Sequence, residues 1–124
     1  MNIKNKKGQI IGIGGEETAT KSRILCAAIH YDDNKKHAHQ PINVKSGFVV
    51  AGHRHCNCIM TMAIFLEDDY TRDRVIEYNR MSVEGFLTSD NRFLNRKEAC
   101  HEAIANGQVK ASEVSGMLYS EDLY

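Results

Sequence analysis

Arg23-Ile-Leu-Cys-Ala-Ala-Ile-His-Tyr31 is a short apolar run that stops at Asp32-Asp-Asn34, and it reads as a buried strand entering a turn. Working outward, Ser46 to Gly52 contains Gly47-Phe-Val-Val-Ala-Gly52, β-branched and aromatic as a central strand should be. Between the two, Lys35-Lys-His-Ala-His-Gln-Pro-Ile-Asn43 is polar, holds the single proline and reads as a loop. Two antiparallel neighbours are the simplest arrangement of these strands. Ser82 to Leu87 alternates loosely and supplies a third.

Helical spacing begins after Gly52-His-Arg-His55. In Cys56 to Leu66 the residues Ile59, Met62, Ala63 and Leu66 recur at helical intervals, and the segment is apolar nearly all round, which predicts a helix buried against the sheet and ended by Glu67-Asp-Asp69. Thr71 is placed to cap a further helix from Arg72 to about Arg80. Asn95-Arg-Lys-Glu98 reads as a capping-box variant opening a helix over about 95 to 106, which Gly107 closes. The expected fold is therefore α+β, a small antiparallel sheet packed with two to three helices in a single domain spanning 1–124. Residues 1–22 form an N-terminal arm and residues 23–124 a ligand-binding core with a docked tail.

In the arm, Ile10, Ile11 and Ile13 suit a short strand. Gly12-x-Gly14-Gly15 lacks both the lysine of a phosphate loop and the full dinucleotide spacing, so a turn or an arm packing on another subunit is the expectation. At the other end, Gly116-Met-Leu-Tyr-Ser-Glu-Asp-Leu-Tyr124 alternates apolar and acidic residues. Leu118, Tyr119, Leu123 and Tyr124 are expected to dock it on the fold or across an interface.

With 124 residues the chain can bury a core, but a deep self-contained active site is hard to build, which favours a site shared between subunits of a homo-oligomer. Sixteen Lys+Arg balance sixteen Asp+Glu, so no net field attracts a long nucleic acid. The polar N-terminus lacks a signal peptide, so the four cysteines are expected as reduced thiols in a cytosol. No run approaches the roughly eighteen apolar residues of a membrane span.

Histidines and cysteines at His37-x-His39, His53-x-His55 and Cys56-x-Cys58 invite a metal reading, but the spacing argues against it. Zinc knuckles use wider pairs, and Cys-x-Cys on a helix turns its thiols about 200° apart. Cys26 and Cys100 sit in apolar contexts that suit packed small hydrophobes. No nucleophile–base pair is evident, and Asp68-Asp69 and Glu16-Glu17 look like solvated turns. Neither catalytic residues, nor metal, nor cofactor are expected.

A ligand site is easier to support. Gly85-Phe-Leu-Thr-Ser-Asp-Asn-Arg-Phe-Leu-Asn-Arg-Lys-Glu98 gathers an aromatic, small hydroxyls and two arginines at a helix start, where free N–H groups favour an anion such as phosphate. Arg54 ends a strand and begins a helix, and its guanidinium suits both base stacking and phosphate pairing. Asn57, three residues on, offers an amide to a base edge, and Phe86 an opposing stacking face. The same residues read equally well as solvated charges at Arg92 and Arg96 and a core aromatic at Phe86.

Gly52-His-Arg-His55 opening an apolar helix, Gly85 to Ala99, the downstream Ala-Asn-Gly-Gln108 and Leu118-Tyr-Ser-Glu-Asp-Leu123 together resemble the first family of phage-encoded Thoeris anti-defence proteins, over about residues 23 to 124. The resemblance implies a viral sponge in the host bacterial cytoplasm that sequesters cyclic ADP-ribose isomers made by a TIR-domain immune enzyme, without cleaving them. It implies small proteins on an antiparallel sheet, assembled as homodimers or hexamers made of dimers, and a second intersubunit site for cyclic trinucleotides. Carried over by position, Arg54 and Phe86 sandwich a base and Arg92 and Arg96 face phosphates or serve the intersubunit site. Thr88, Ser89 and Asn91 bond ribose or phosphate. The alternatives are a phosphodiesterase-like enzyme that cleaves a cyclic nucleotide and an adaptor that binds another protein through the acidic, tyrosine-bearing tail.

Overall fold

The computed structural model describes residues 22–66 and 72–124, with 72–75 as backbone, and the backbone of two short strands, β1 (Ile3–Lys4) and β2 (Ile10–Gly12), which pair antiparallel with each other. The main sheet is built from β3 (Ile24–Tyr31), β4 (Phe48–Gly52), β5 (Ser82–Thr88) and β6 (Phe93–Asn95), antiparallel throughout in the order β4-β3-β5-β6. Among the described residues, three helices, α1 (His55–Phe65), α2 (Arg72–Arg80) and α3 (Arg96–Ala105), a 3-10 turn (Ala111–Glu113) and a single helical turn, α4 (Ser120–Leu123), complete a small single α+β domain. Thr71 as a cap, Glu67-Asp-Asp69 as a helix end, and the glycine turn beyond Gly12 lie outside the described residues.

β3 is central because both of its faces are apolar, with Ala27, Ala28, Ile29 and Tyr31 all buried. It pairs with β4 from Ala27↔Gly52 to Tyr31↔Phe48, and with β5 from Ile24↔Thr88 to Tyr31↔Ser82. The strands expected at 23–31, 46–52 and 82–87 are thus present and adjacent. β6 is an addition: three residues are too few to show a period of two, and the strand exists only because a turn folds it back onto β5, pairing Leu94 with Phe86. Asn91 makes that turn in the left-handed region at φ 63°, which an asparagine tolerates better than most side chains.

One face of the sheet carries the core. Ile29 and Phe86 meet Cys58 and Met62 of α1, Ala99, Cys100 and Ala103 of α3, and Leu118 of the tail. The small residues of α3 let its backbone approach the sheet closely. Its capping box forms as expected: Asn95 Oδ1 accepts from the N–H groups of Lys97 (3.0 Å) and Glu98 (2.8 Å), and Glu98 Oε1 accepts from Asn95 N–H (2.9 Å). Asn106 is the C-cap, followed by Gly107 at φ 85°.

The expectation of an all-round buried α1 is corrected. His55, Cys58 and Met62 face the core, whereas Ile59, Met60, Ile64 and Phe65 are 50%, 66%, 69% and 70% exposed. An apolar composition states what a helix prefers; how many neighbours cover it is set by the rest of the fold.

Residues 32–47 cross the opposite face without a regular element and reach both sheet edges. Gln40 Oε1 accepts from Val49 N–H of β4 (2.9 Å), and the Asn43 amide brackets Phe93 of β6, accepting from its N–H (2.8 Å) and donating to its carbonyl (2.7 Å). Pairing these edges with side chains closes them to other strands.

Candidate functional site

Arg54 stands where β4 hands over to α1. Its own N–H donates to Asn57 Oδ1 (2.9 Å), so the Asn57 amide is spent in part on fixing the start of the helix. The guanidinium turns to the tail: Nη1 donates to Ser120 Oγ (3.2 Å), Nη2 to the main-chain oxygen of Tyr124 (2.7 Å), and Cζ lies 5.1 Å from the centre of the Tyr124 ring. That ring stacks on His53 at 4.3 Å, and its hydroxyl donates to His53 O (2.6 Å).

Arg96, the first residue of α3, holds the same tail from the other side. Nη1 donates to Leu118 O (2.9 Å), Nη2 to Glu84 Oε1 (2.7 Å), and Cζ sits 4.5 Å over the Tyr119 ring. In return Leu118 N–H donates to Arg96 O (3.0 Å). Leu118 is fully buried and anchors the segment, as the expectation of a docked tail required. A shallow groove of 530 Å³ lined by Val83, Glu84, Asn95, Arg96, Lys97 and Met117 opens beside this arginine.

His55 forms the floor between the two arginines. It is buried, its Nε2–H donates to Gly85 O (2.8 Å), and its ring meets Phe86 edge-on at 5.1 Å. Burial holds the imidazole below its ordinary range, and the nearby Arg96 charge acts in the same direction.

The remaining candidates gather elsewhere. Thr88, Ser89, Asn91 and Arg92 build the β5–β6 turn. Arg92 Nε donates to both Asp90 oxygens (3.0 Å each), and Nη2 donates to Glu102 Oε2 (2.8 Å) and Ser22 Oγ (3.0 Å). The Thr88 hydroxyl donates to the Asp90 carboxylate and accepts from Arg92 N–H, and Ser89 Oγ accepts from Arg23 N–H (2.9 Å). The Thr88 hydroxyl, then Arg92, hold the Asp90 carboxyl down to about 2. Asn91 contributes backbone, its carbonyl accepting from Ile42 N–H (2.8 Å).

Two expectations change here. Arg92 and Arg96 flank β6 at its opposite ends, about 13 Å apart at the rise of an extended chain, and they serve different partners, so they are not a pair. Phe86 is wholly buried with His55 against its edge, and within one subunit it has no face to give a base. The physical reason is register: Phe86 opposes Ala27 on the central strand, and the space above that alanine is the core.

What the fold does bring together is Arg54 and Arg96, each carrying a tyrosine ring, on either side of Leu118–Ser120. Tyr119 (45% exposed) and Tyr124 (43% exposed) are the half-open aromatics that the base-stacking role had assigned to Phe86. The sequence flagged both as docked, but ring-on-guanidinium contacts across more than twenty residues have no local signal. Chemically the arrangement offers planar cations for phosphate and π-faces for a ring. Among the described residues no group of three or more His, Cys, Asp or Glu is placed to hold a metal. Burial pushes the Cys58 thiol up to about 11, which makes it a packing group in place of a nucleophile.

No curated protein and no solved structure matches the chain. The family described as Phage T4 y16D protein matches residues 23–124, the whole of the sheet-and-helix core from the start of β3 to the tail, and the chain belongs to that phage protein family.

Proposed function

We propose that the chain is an immune-evasion protein that binds cyclic ADP-ribose isomers in the cytoplasm of the phage's host and sequesters them without cleaving them. The observation that carries this reading is the placing of Arg54 and Arg96, each with a tyrosine ring, on either side of Leu118–Ser120. A guest with two phosphates, a base and ribose hydroxyls calls for charge-assisted bonds and stacking surfaces, and no activated water is needed to hold it. Arg54 bonds the Ser120 hydroxyl and the main-chain oxygen of Tyr124, and no Asp or Glu side chain among the described residues. Arg92 is neutralised between Asp90 and Glu102, whereas Arg96 meets one carboxylate among the described residues, that of the half-exposed Glu84. The phage family supports the setting, and no helix among the described residues is long and apolar enough to cross a membrane.

The groove at Arg96 is shallow, and the apolar outer face of α1 is open, which together support assembly into homodimers, or hexamers made of dimers, with a second subunit closing the site. Cyclic trinucleotides at an intersubunit site belong to the same reading. Calorimetric titration with cyclic ADP-ribose isomers and a cyclic trinucleotide tests it, with Arg54→Ala and Arg96→Ala each expected to weaken the ADP-ribose ligand by about tenfold or more. Heat denaturation of the complex should then release the ligand intact. A linearised product would establish the phosphodiesterase-like alternative, and no heat with any nucleotide would favour an adaptor working through the tail.

A further inference from the structure

The connection between β3 and β4, residues 32–47, carries a second feature that the site at Arg54 and Arg96 does not use. Loops of this length without a regular element are uncommon in small domains and are often functional. Its structural duty, crossing the sheet and closing two edges, is met by Gln40, Asn43 and Ser46, the last donating its hydroxyl to Asp32 (2.7 Å) and accepting at its carbonyl from His30 Nε2 (2.8 Å). Those anchors leave the cationic residues over.

From Lys35 to Lys45 the loop has three lysines, two histidines and no carboxylate, in a chain whose net charge is zero. Lys36, His37, His39 and Lys45 line a groove of 480 Å³, with Pro41, Ile42 and Val44 completing its wall. The nearest acid in the loop, Asp33, is taken by His37 (2.8 Å). Lys36 and Lys45 have no ion pair among the described residues. Both ends of the groove are pinned, by Gly47 N–H to Lys35 O (2.7 Å) and by Ile42 N–H to Asn91 O (2.8 Å). Two lysines without an acidic partner are therefore held on one fixed frame, and an anion that enters meets them without having to order the loop first.

From this we infer that the 36–47 groove is a binding site for a small phosphate-bearing molecule with a ring portion, of the size of a nucleoside diphosphate. The lysines and histidines meet the phosphates, and Ile42, 73% exposed, with Val44 offers apolar surface to the ring. Its volume lies in the range of small-ligand sites. This site is independent of the one at Arg54 and Arg96.

The test is calorimetric titration of the full chain with ADP, with pyrophosphate and with a ten-nucleotide oligoribonucleotide, at low and high salt. ADP should bind, more weakly at high salt, and Lys36→Ala combined with Lys45→Ala should reduce its affinity by about tenfold or more. Arg54→Ala combined with Arg96→Ala should leave ADP binding at this groove unchanged. In the unaltered chain, ADP should shift the imidazole NMR signals of His37 and His39 and leave those of the buried His55 in place, a readout that needs no variant to fold. Absence of ADP binding, affinity unchanged in the lysine variant, loss of binding in the arginine variant, or binding of the oligoribonucleotide alone would each overturn the assignment.

Discussion

Gly85 shows how little freedom single positions retain around the site. A Cβ added there would overlap the Leu94 carbonyl oxygen and the Phe93 ring, while the Gly85 carbonyl accepts from His55. Gly85→Ala should lower the unfolding free energy in a urea titration by about 1–3 kcal/mol; an unaltered midpoint would mean that β6 shifts without cost. His55 itself makes stability depend on pH. Its folded value is depressed by burial, so the unfolded chain takes up the proton more readily, and the contribution is full above the unfolded value and lost as pH falls below it. Denaturation midpoints should therefore drop between about pH 7 and pH 5, and His55→Gln should flatten that interval. Asp90 acts lower down: its folded value is about 2, so its contribution is present above the ordinary carboxylate range and fades as pH falls through it. Asp90→Asn should shrink that acid limb, to which the lowered Asp32 and Asp33 also contribute, and leave the one due to His55.

At the scale of elements, the tail is the piece whose loss would be felt twice. Residues 117–124 add a buried anchor to the core through Leu118 and place two rings on Arg54 and Arg96. Leu118→Ala should destabilise the fold by about 2–5 kcal/mol, read by chemical denaturation. Tyr119→Ala, at a half-exposed ring, should leave the denaturation midpoint nearly in place while weakening the proposed ligand in calorimetry. Equal losses in both measurements would reduce Tyr119 to a packing residue. The cap of α3 is a purely local device by comparison, and Asn95→Ala should cost about 1 kcal/mol.

For the molecule as a whole, the exposed face of α1 is a departure from a closed monomer among the described residues. Ile59, Met60, Ile64 and Phe65 leave apolar area in water that a second copy of the chain would cover. Ile64→Glu with Phe65→Glu should turn an oligomer into a monomer by sedimentation velocity, with the far-ultraviolet spectrum unchanged. A chain that is monomeric before substitution would remove the second subunit from the proposed site. At this scale the balanced charge also matters: no global field favours any anion, so anion binding depends on local exceptions such as the loop from Lys35 to Lys45.

By itself the sequence determined what short-range physics controls. The apolar run 23–31, the β-branched segment before Gly52, the helical spacing after it and the Asn95–Glu98 capping box each have a signal within a few residues, and all four elements are present. Only the tertiary structure decided where side chains face and which distant residues meet. Phe86 looked available because nothing local says that its opposite number is Ala27 beneath the core. Arg92 and Arg96 looked paired because four residues separate them in sequence, yet a strand between them holds them apart. Arg54 and Arg96 came together through the tail, whose contacts with them span 22 to 70 residues of chain. Burial and long-range pairing are set by register and by the packing of whole elements, and those terms are carried by no single stretch of the chain.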